Sequence, residues 1–150
     1  MKLRWGALSI VLVLSALMPR ILAAQAQDPA RKRSAGILRQ NYPNPFNPET
    51  RISFTVGDEK CDDPGRQHRV SLRIYNILSQ LVAIPVLQGG AGGSAAPGIP
   101  LDRVMLTCGD YVAYWDGKYM GTKTEVASGV YLYELRIDNE HLVKRMLVTK

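Results

Sequence analysis

Two histidines and two cysteines are few groups for metal binding or nucleophilic catalysis in a chain of 150 residues. Neither His68 nor His141 has a glycine-flanked serine or a metal-ligand spacing near it, so no catalytic constellation is legible and no enzymatic activity is expected. No cofactor and no small-molecule substrate are implied either. Aromatic residues make up only 7% of the chain, and no arginine stripe runs between stacking aromatics, which argues against nucleic acid. After residue 26 no stretch carries a convincing helical period.

What is present begins with an export signal. Lys2 and Arg4 form a basic start, Trp5 to Met18 an apolar core short for a bilayer span, and Ala24-Gln25-Ala26 a small-residue cleavage site. Residues 1–26 are therefore read as a signal peptide, with an uncleaved anchor as the alternative because Arg20 lies close to the site. Without Lys2, Arg4 and Arg20 the balance is 16 basic to 13 acidic residues, +3 rather than +6. Residues 27–40 read as a linker holding the basic run Arg31-Lys32-Arg33, a solvated stretch or a contact for an acidic surface. Residues 41–150 are enough for one domain with one modest core.

That domain opens with Asn41-Tyr42-Pro43-Asn44-Pro45-Phe46-Asn47-Pro48-Glu49-Thr50. Three prolines fix φ and exclude helix, so this stiff segment suits a clasp laid across the open end of a sandwich with Tyr42 and Phe46 buried. Period-two alternation then predicts strands. Ile52, Phe54 and Val56 point inward in the first, and Val70, Leu72 and Ile74 in the second, with Ser71, Arg73 and Tyr75 outward. Asn76 to Gln80 is a turn, and Leu81 to Leu87 an edge strand because of Pro85. Gln88 to Pro100, rich in Gly, Ala and Pro, reads as a flexible surface loop. Leu101 to Thr107 adds a short strand, and Gly109 to Trp115 alternates before an Asp116-Gly117 turn. Tyr131, Tyr133, Leu135 and Ile137 mark the core face of a further strand, which turns at Asp138-Asn139 into a partner over His141 to Thr149. About seven short strands argue an all-β, antiparallel β-sandwich.

Three smaller features have more than one reading. Cys61 and Cys108, an even pair in an exported chain, are expected to form a disulfide. Asp58, Glu59, Asp62 and Asp63 cluster in the loop Gly57 to Gln67, but their spacing misses the calcium-loop pattern and a solvated loop is the simpler account. Tyr111, Tyr114, Trp115 and Tyr119 could stack on sugar rings if exposed together, whereas a buried Trp115 favours a structural role.

Five ordered stretches carry a family resemblance. They are Asn41 to Thr50, Ile74-Tyr75-Asn76 with Gln80-Leu81-Val82, Trp115-Asp116-Gly117, Ala127-Ser128-Gly129-Val130-Tyr131, and Lys144-Arg145-Met146-Leu147-Val148-Thr149-Lys150. Together they resemble the C-terminal sorting domain (type A) of the bacterial type IX secretion system. The order of Trp-Asp-Gly and Ser-Gly-Val-Tyr is also similar to the immunoglobulin-like domain of the flagellar hook-capping protein. The resemblance implies an immunoglobulin-like (fibronectin-III-like) sandwich without enzymatic activity. It also implies passage through the periplasm to the cell surface or medium, and a protein partner in the outer-membrane secretion machinery. Recognition would involve Lys144, Arg145 and Lys150, for which a charge-blunted strand edge is the plainer reading. The alternatives are a stand-alone cell-envelope structural or adhesive module, or a carbohydrate-binding one.

The chain departs from the family in three places. Only Gln27 to Gln40 separates the signal from the first motif, which suggests a module without a passenger or a remnant of a longer protein. Ser79 stands where the family turn has glycine. The loops Gly57 to Gln67 and Gln88 to Thr107 are enlarged, and a Cys61–Cys108 bond would tie them to the sandwich.

Overall fold

Alternation between buried and exposed side chains organises the chain, and strands are found where it is clearest, over Ile52 to Val56, Val70 to Ile74, Gly109 to Trp115 and Tyr131 to Ile137. The computed structural model describes residues 34–57, 61, 63–90 and 97–150. The expected signal peptide lies outside the described residues, as do the first half of the linker and Asp58, Glu59 and Asp62 of the carboxylate loop. Among the described residues nine strands follow in order: β1 Gly36–Leu38, β2 Thr50–Val56, β3 Gln67–Asn76, β4 Leu81–Ala83, β5 Val86–Gly90, β6 Val104–Thr107, β7 Gly109–Trp115, β8 Gly129–Ile137 and β9 Glu140–Val148. No helix occurs among the described residues.

The strands form two antiparallel sheets, an all-β sandwich. One runs β1-β2-β7-β5; the other runs β4-β3-β8-β9, with β6 pairing β3 further along the edge that β4 occupies. Between them lie Ile52, Phe54 and Val56 of β2, Val70, Leu72 and Ile74 of β3, Tyr111, Ala113 and Trp115 of β7, and Tyr133, Leu135 and Ile137 of β8, all buried. Because side chains alternate across a strand, each of these sets uses one face, and a one-residue slip in register would expose it.

Four expectations are corrected. The stretch read as linker contains β1, which pairs Gly36 with Val56 and Leu38 with Phe54. A side chain at Gly36 would run into the Thr55 carbonyl and Ile137, so glycine lets this strand close over the core. Leu81 to Leu87 is not one edge strand. Pro85, which cannot donate to a ladder, stands where the chain leaves β4 in one sheet and enters β5 in the other. The stretch from Gln88 is partly strand, since β5 runs to Gly90 and Leu87 also exchanges backbone bonds with Ile99 and Gly98. Ser71 is buried rather than outward, because the segment after Pro100 crosses it: the Arg103 N–H donates to Ser71 Oγ at 2.8 Å and the Leu72 N–H to the Leu101 carbonyl.

The turn after β3 is closed by its own polar groups. Asn76 Oδ1 accepts from the Leu78 and Gln80 N–H groups, both at 3.0 Å, and the Ser79 N–H donates to the Asn76 carbonyl. Ser79 holds φ of 60°, the left-handed conformation that glycine takes without strain.

Candidate functional site

The prolines leave Asn41 to Thr50 little freedom, and its asparagines set where it attaches. Asn41 is buried, and its Nδ2 donates to the Pro43 carbonyl and to Thr50 Oγ1, both at 3.0 Å. The Thr50 hydroxyl in turn donates to the Pro43 carbonyl at 2.9 Å. Tyr133 reaches this knot from β8: its hydroxyl accepts from the Asn41 N–H at 3.1 Å and donates to the Arg39 carbonyl at 3.0 Å. Burial pushes the Tyr133 phenol above its ordinary pKa, so it keeps the proton that this donation requires.

From there the segment crosses the end of the sandwich and meets the last strand. The Phe46 N–H donates to the Leu147 carbonyl and the Thr149 N–H to the Phe46 carbonyl, both at 3.0 Å, a parallel bridge opposite Val148. Asn44 Oδ1 accepts from the Leu147 N–H at 2.9 Å, and Gln40 Nε2 donates to the Arg145 carbonyl. The clasp therefore occupies the outer edge of β9 from Arg145 to Thr149. Only half of the expected aromatic anchoring holds. Phe46 is buried, but Tyr42 is 81% exposed, because the two backbone bonds between Tyr42 and Arg51 turn its ring outward.

Phe46 completes an aromatic row. Its ring meets Trp115 edge-on at 5.4 Å, and Trp115 meets Tyr131 at 5.9 Å, spacings at which such pairs add to their buried area. The Trp115 indole N–H donates to the Lys118 carbonyl at 3.0 Å. Gly117, at φ of 72°, lies so close to the Pro48 carbonyl that a side chain would strike it. Asp116 Oδ1 accepts from the Lys118 N–H. Thus Pro48, Phe46, Trp115, Gly117 and Tyr131 from three of the singled-out motifs converge at one end of the sandwich. Ser128 and Val130 are exposed beside them, with Gly129 between.

The three expected recognition cations are not gathered into one cluster. Lys144 and Arg145 are exposed on opposite faces of β9, paired in register with Tyr133 and Leu132. Lys150 lies past the strand, 3.4 Å from Glu125 Oε2. What they share is exposure on or just past a strand whose backbone the clasp holds.

At the opposite end Cys61 and Cys108 are disulfide-bonded, with Cα atoms 5.8 Å apart. Cys108 stands between β6 and β7, where the chain passes from one sheet to the other, and pins the loop that precedes β3. Disulfides form and persist mainly in oxidising compartments. The histidines hydrogen-bond carboxylates towards that end: His68 Nδ1 is 2.7 Å from Asp138 Oδ2, and His141 Nδ1 is 2.8 Å from Glu134 Oε1. Burial raises the Glu134 carboxyl, but bonds from His141 and Arg136 outweigh it and hold the carboxyl below its ordinary value. Asp138 is likewise held low, the Arg69 N–H and His68 outweighing burial. No group of residues that could hold a metal ion occurs among the described residues.

The aromatic cluster considered for sugar binding does not form a platform. Trp115 is 3% exposed and Tyr111 is buried against Phe54, whereas Tyr114 faces the other way and donates to Glu49 Oε2 at 2.6 Å. Sequence reading missed the Asn41–Thr50–Tyr133 knot, though a buried-period tyrosine opposite an asparagine-rich segment was its available signal. It also missed the apolar turn at Ile77 and Leu78. No protein-family model, no curated protein and no solved structure matches this chain.

Proposed function

We propose that this chain is an exported, immunoglobulin-like sandwich that acts as a sorting module for delivery across the outer membrane to the cell surface or medium. The observation that carries the reading is the seating of the C-terminal strand. Backbone bonds from Phe46 and the Asn44 and Gln40 side chains fix Arg145 to Thr149 against the clasp, while Lys144 and Arg145 stay exposed. A partner would thus meet a strand of set geometry and basic charge, with little ordering left to do on binding. The disulfide supports passage through an oxidising compartment. The residues that resemble the sorting family supply the specific assignment, and a protein of the outer-membrane machinery is the implied partner.

The test is localisation in the native host. Deleting Lys144 to Lys150 would strip Met146 and Val148 from the core and confuse misfolding with missorting. The triple charge reversal Lys144→Glu, Arg145→Glu, Lys150→Glu changes only exposed side chains. The parent chain is expected at the surface or in the medium and the variant stranded in the periplasm, folded. If both stop in the same compartment, the sorting reading fails and a stand-alone envelope module takes its place.

A further inference from the structure

Turns at the ends of β-sandwiches are ordinarily polar, and the one between β3 and β4 is not. Ile77 is 73% and Leu78 72% exposed. They are displayed rather than frayed, because Asn76 and the left-handed Ser79 close the turn beneath them. A second apolar turn lies alongside. The Met120 N–H donates to the Val82 carbonyl at 2.8 Å, which fixes the Tyr119 to Thr124 loop against the outer edge of β4, next to the partly exposed Leu81. Met120 is 55% exposed and Tyr119 is exposed beside it.

The polar groups of both turns are largely satisfied from within. In the second, the Thr122 N–H and hydroxyl both donate to the Tyr119 carbonyl, the Tyr119 N–H bonds the Thr124 carbonyl, and the Thr124 N–H bonds Thr122 Oγ1. Such turns can leave water without orphaning backbone groups, which is what entry into a bilayer interface demands. The first turn carries no charge, and around the second one cation is left over. Lys118 is paired with Asp116 and Lys150 with Glu125, but Lys123, in the same turn as Met120, has no ion-pair partner among the described residues.

We propose that this end of the sandwich docks on an anionic lipid surface, with Ile77, Leu78 and Met120 entering the acyl boundary, Tyr119 at headgroup depth and Lys123 against the phosphates. Two exposed apolar turns with one unpaired cation, Lys123, in the second fit a deformable, negatively charged plane. The described chain begins at the other end, where the Ala35 carbonyl accepts from the Gly57 N–H. The inference does not rest on the sorting proposal.

Vesicle co-sedimentation of the mature chain tests it, using phosphatidylcholine vesicles with and without phosphatidylglycerol. The parent is expected to sediment with the anionic vesicles and not with the neutral ones. Ile77→Asp with Leu78→Asp should weaken partitioning roughly a hundredfold, about tenfold for each apolar side chain. Lys123→Gln should weaken it about fivefold. Thermal melting of each variant checks the fold, and Met120→Asp serves if the double variant melts early. No sedimentation of the parent, or binding that these variants retain, overturns the proposal. So does a parent dimer that the Ile77/Leu78 variant converts to monomer, which would give the patch to a second copy.

Discussion

The two ends of this sandwich are closed by different physics. At one end a proline-stiffened segment lies across the opening, and the closure is non-covalent: the Phe46–Trp115–Tyr131 row, the Asn41–Thr50–Tyr133 knot and the bridge to β9. At the other end the groups are more exposed, and the closure is one covalent bond with a few polar contacts, among them the Arg39–Asp110 ion pair and the His68–Asp138 hydrogen bond. Surface ion pairs contribute little, which leaves the disulfide to restrain that end. The end rich in buried contacts is also the one where the singled-out sequence motifs meet.

The difference can be broken from either side. Trp115→Ala should cost most, about 3–5 kcal/mol, because it opens a cavity between Phe46 and Tyr131. Denaturant unfolding measures it, and loss of protection at Thr149 in hydrogen exchange would show the clasp released. Replacing Cys61 and Cys108 by serine removes a bond spanning 47 residues and should cost about 2–4 kcal/mol. In that variant the loop before β3 should become open to protease while the clasp stays protected. Asn41→Ala should cost about 1–3 kcal/mol, since it removes two donated bonds from a buried knot.

Smaller effects come from pH, with opposite signs at the two ends. Asp138 and Asp110 near the disulfide, and Glu134 beside His141, are held below their ordinary values in the fold, Asp110 by bonds from Thr55 and Arg39. Their contribution is present above the unfolded carboxyl values of about 4 and is lost as pH falls through the folded ones. Acid should therefore open the β3–β8 corner first, as read by hydrogen exchange. Tyr114, near the clasp, is pushed up to about 12 by its bond to Glu49 and by burial. The neutral phenol is favoured in the fold, so its contribution is present below the ordinary value of 10.0 and is lost as pH rises through about 12. Glu49→Gln should bring the ultraviolet titration of Tyr114 back toward its ordinary range.

Legibility in the sequence followed the same division. Where one face of a strand is buried and the other wet, the pattern is written in the residues. Ile52, Phe54 and Val56, or Tyr131 to Ile137, could be read without coordinates. Where burial comes from a distant segment, it could not: Ser71 looks like an outward serine until the Arg103 backbone covers it. β1 is too short to show a period, and its signal, Gly36 beneath Thr55 and Ile137, exists only in three dimensions. Pro85 marked an interruption, but not that the chain changes sheets there. At the candidate site the motif residues were legible as stretches, and Cys61 and Cys108 as a pair. Tyr42 is not legible in this way: its ring is aromatic, but its backbone bonds to Arg51 aim it at solvent.

The central claim is that residues 41–150 carry a delivery signal, and a passenger tests it most directly. An exported fluorescent reporter with this domain fused to its C-terminus would be expressed in the native host, with the Lys144→Glu, Arg145→Glu, Lys150→Glu form as control. The expected result is reporter at the cell surface or in the medium for the native domain and in the periplasm for the control. Reporter retained in the periplasm by a native domain that is folded and disulfide-bonded would contradict the claim.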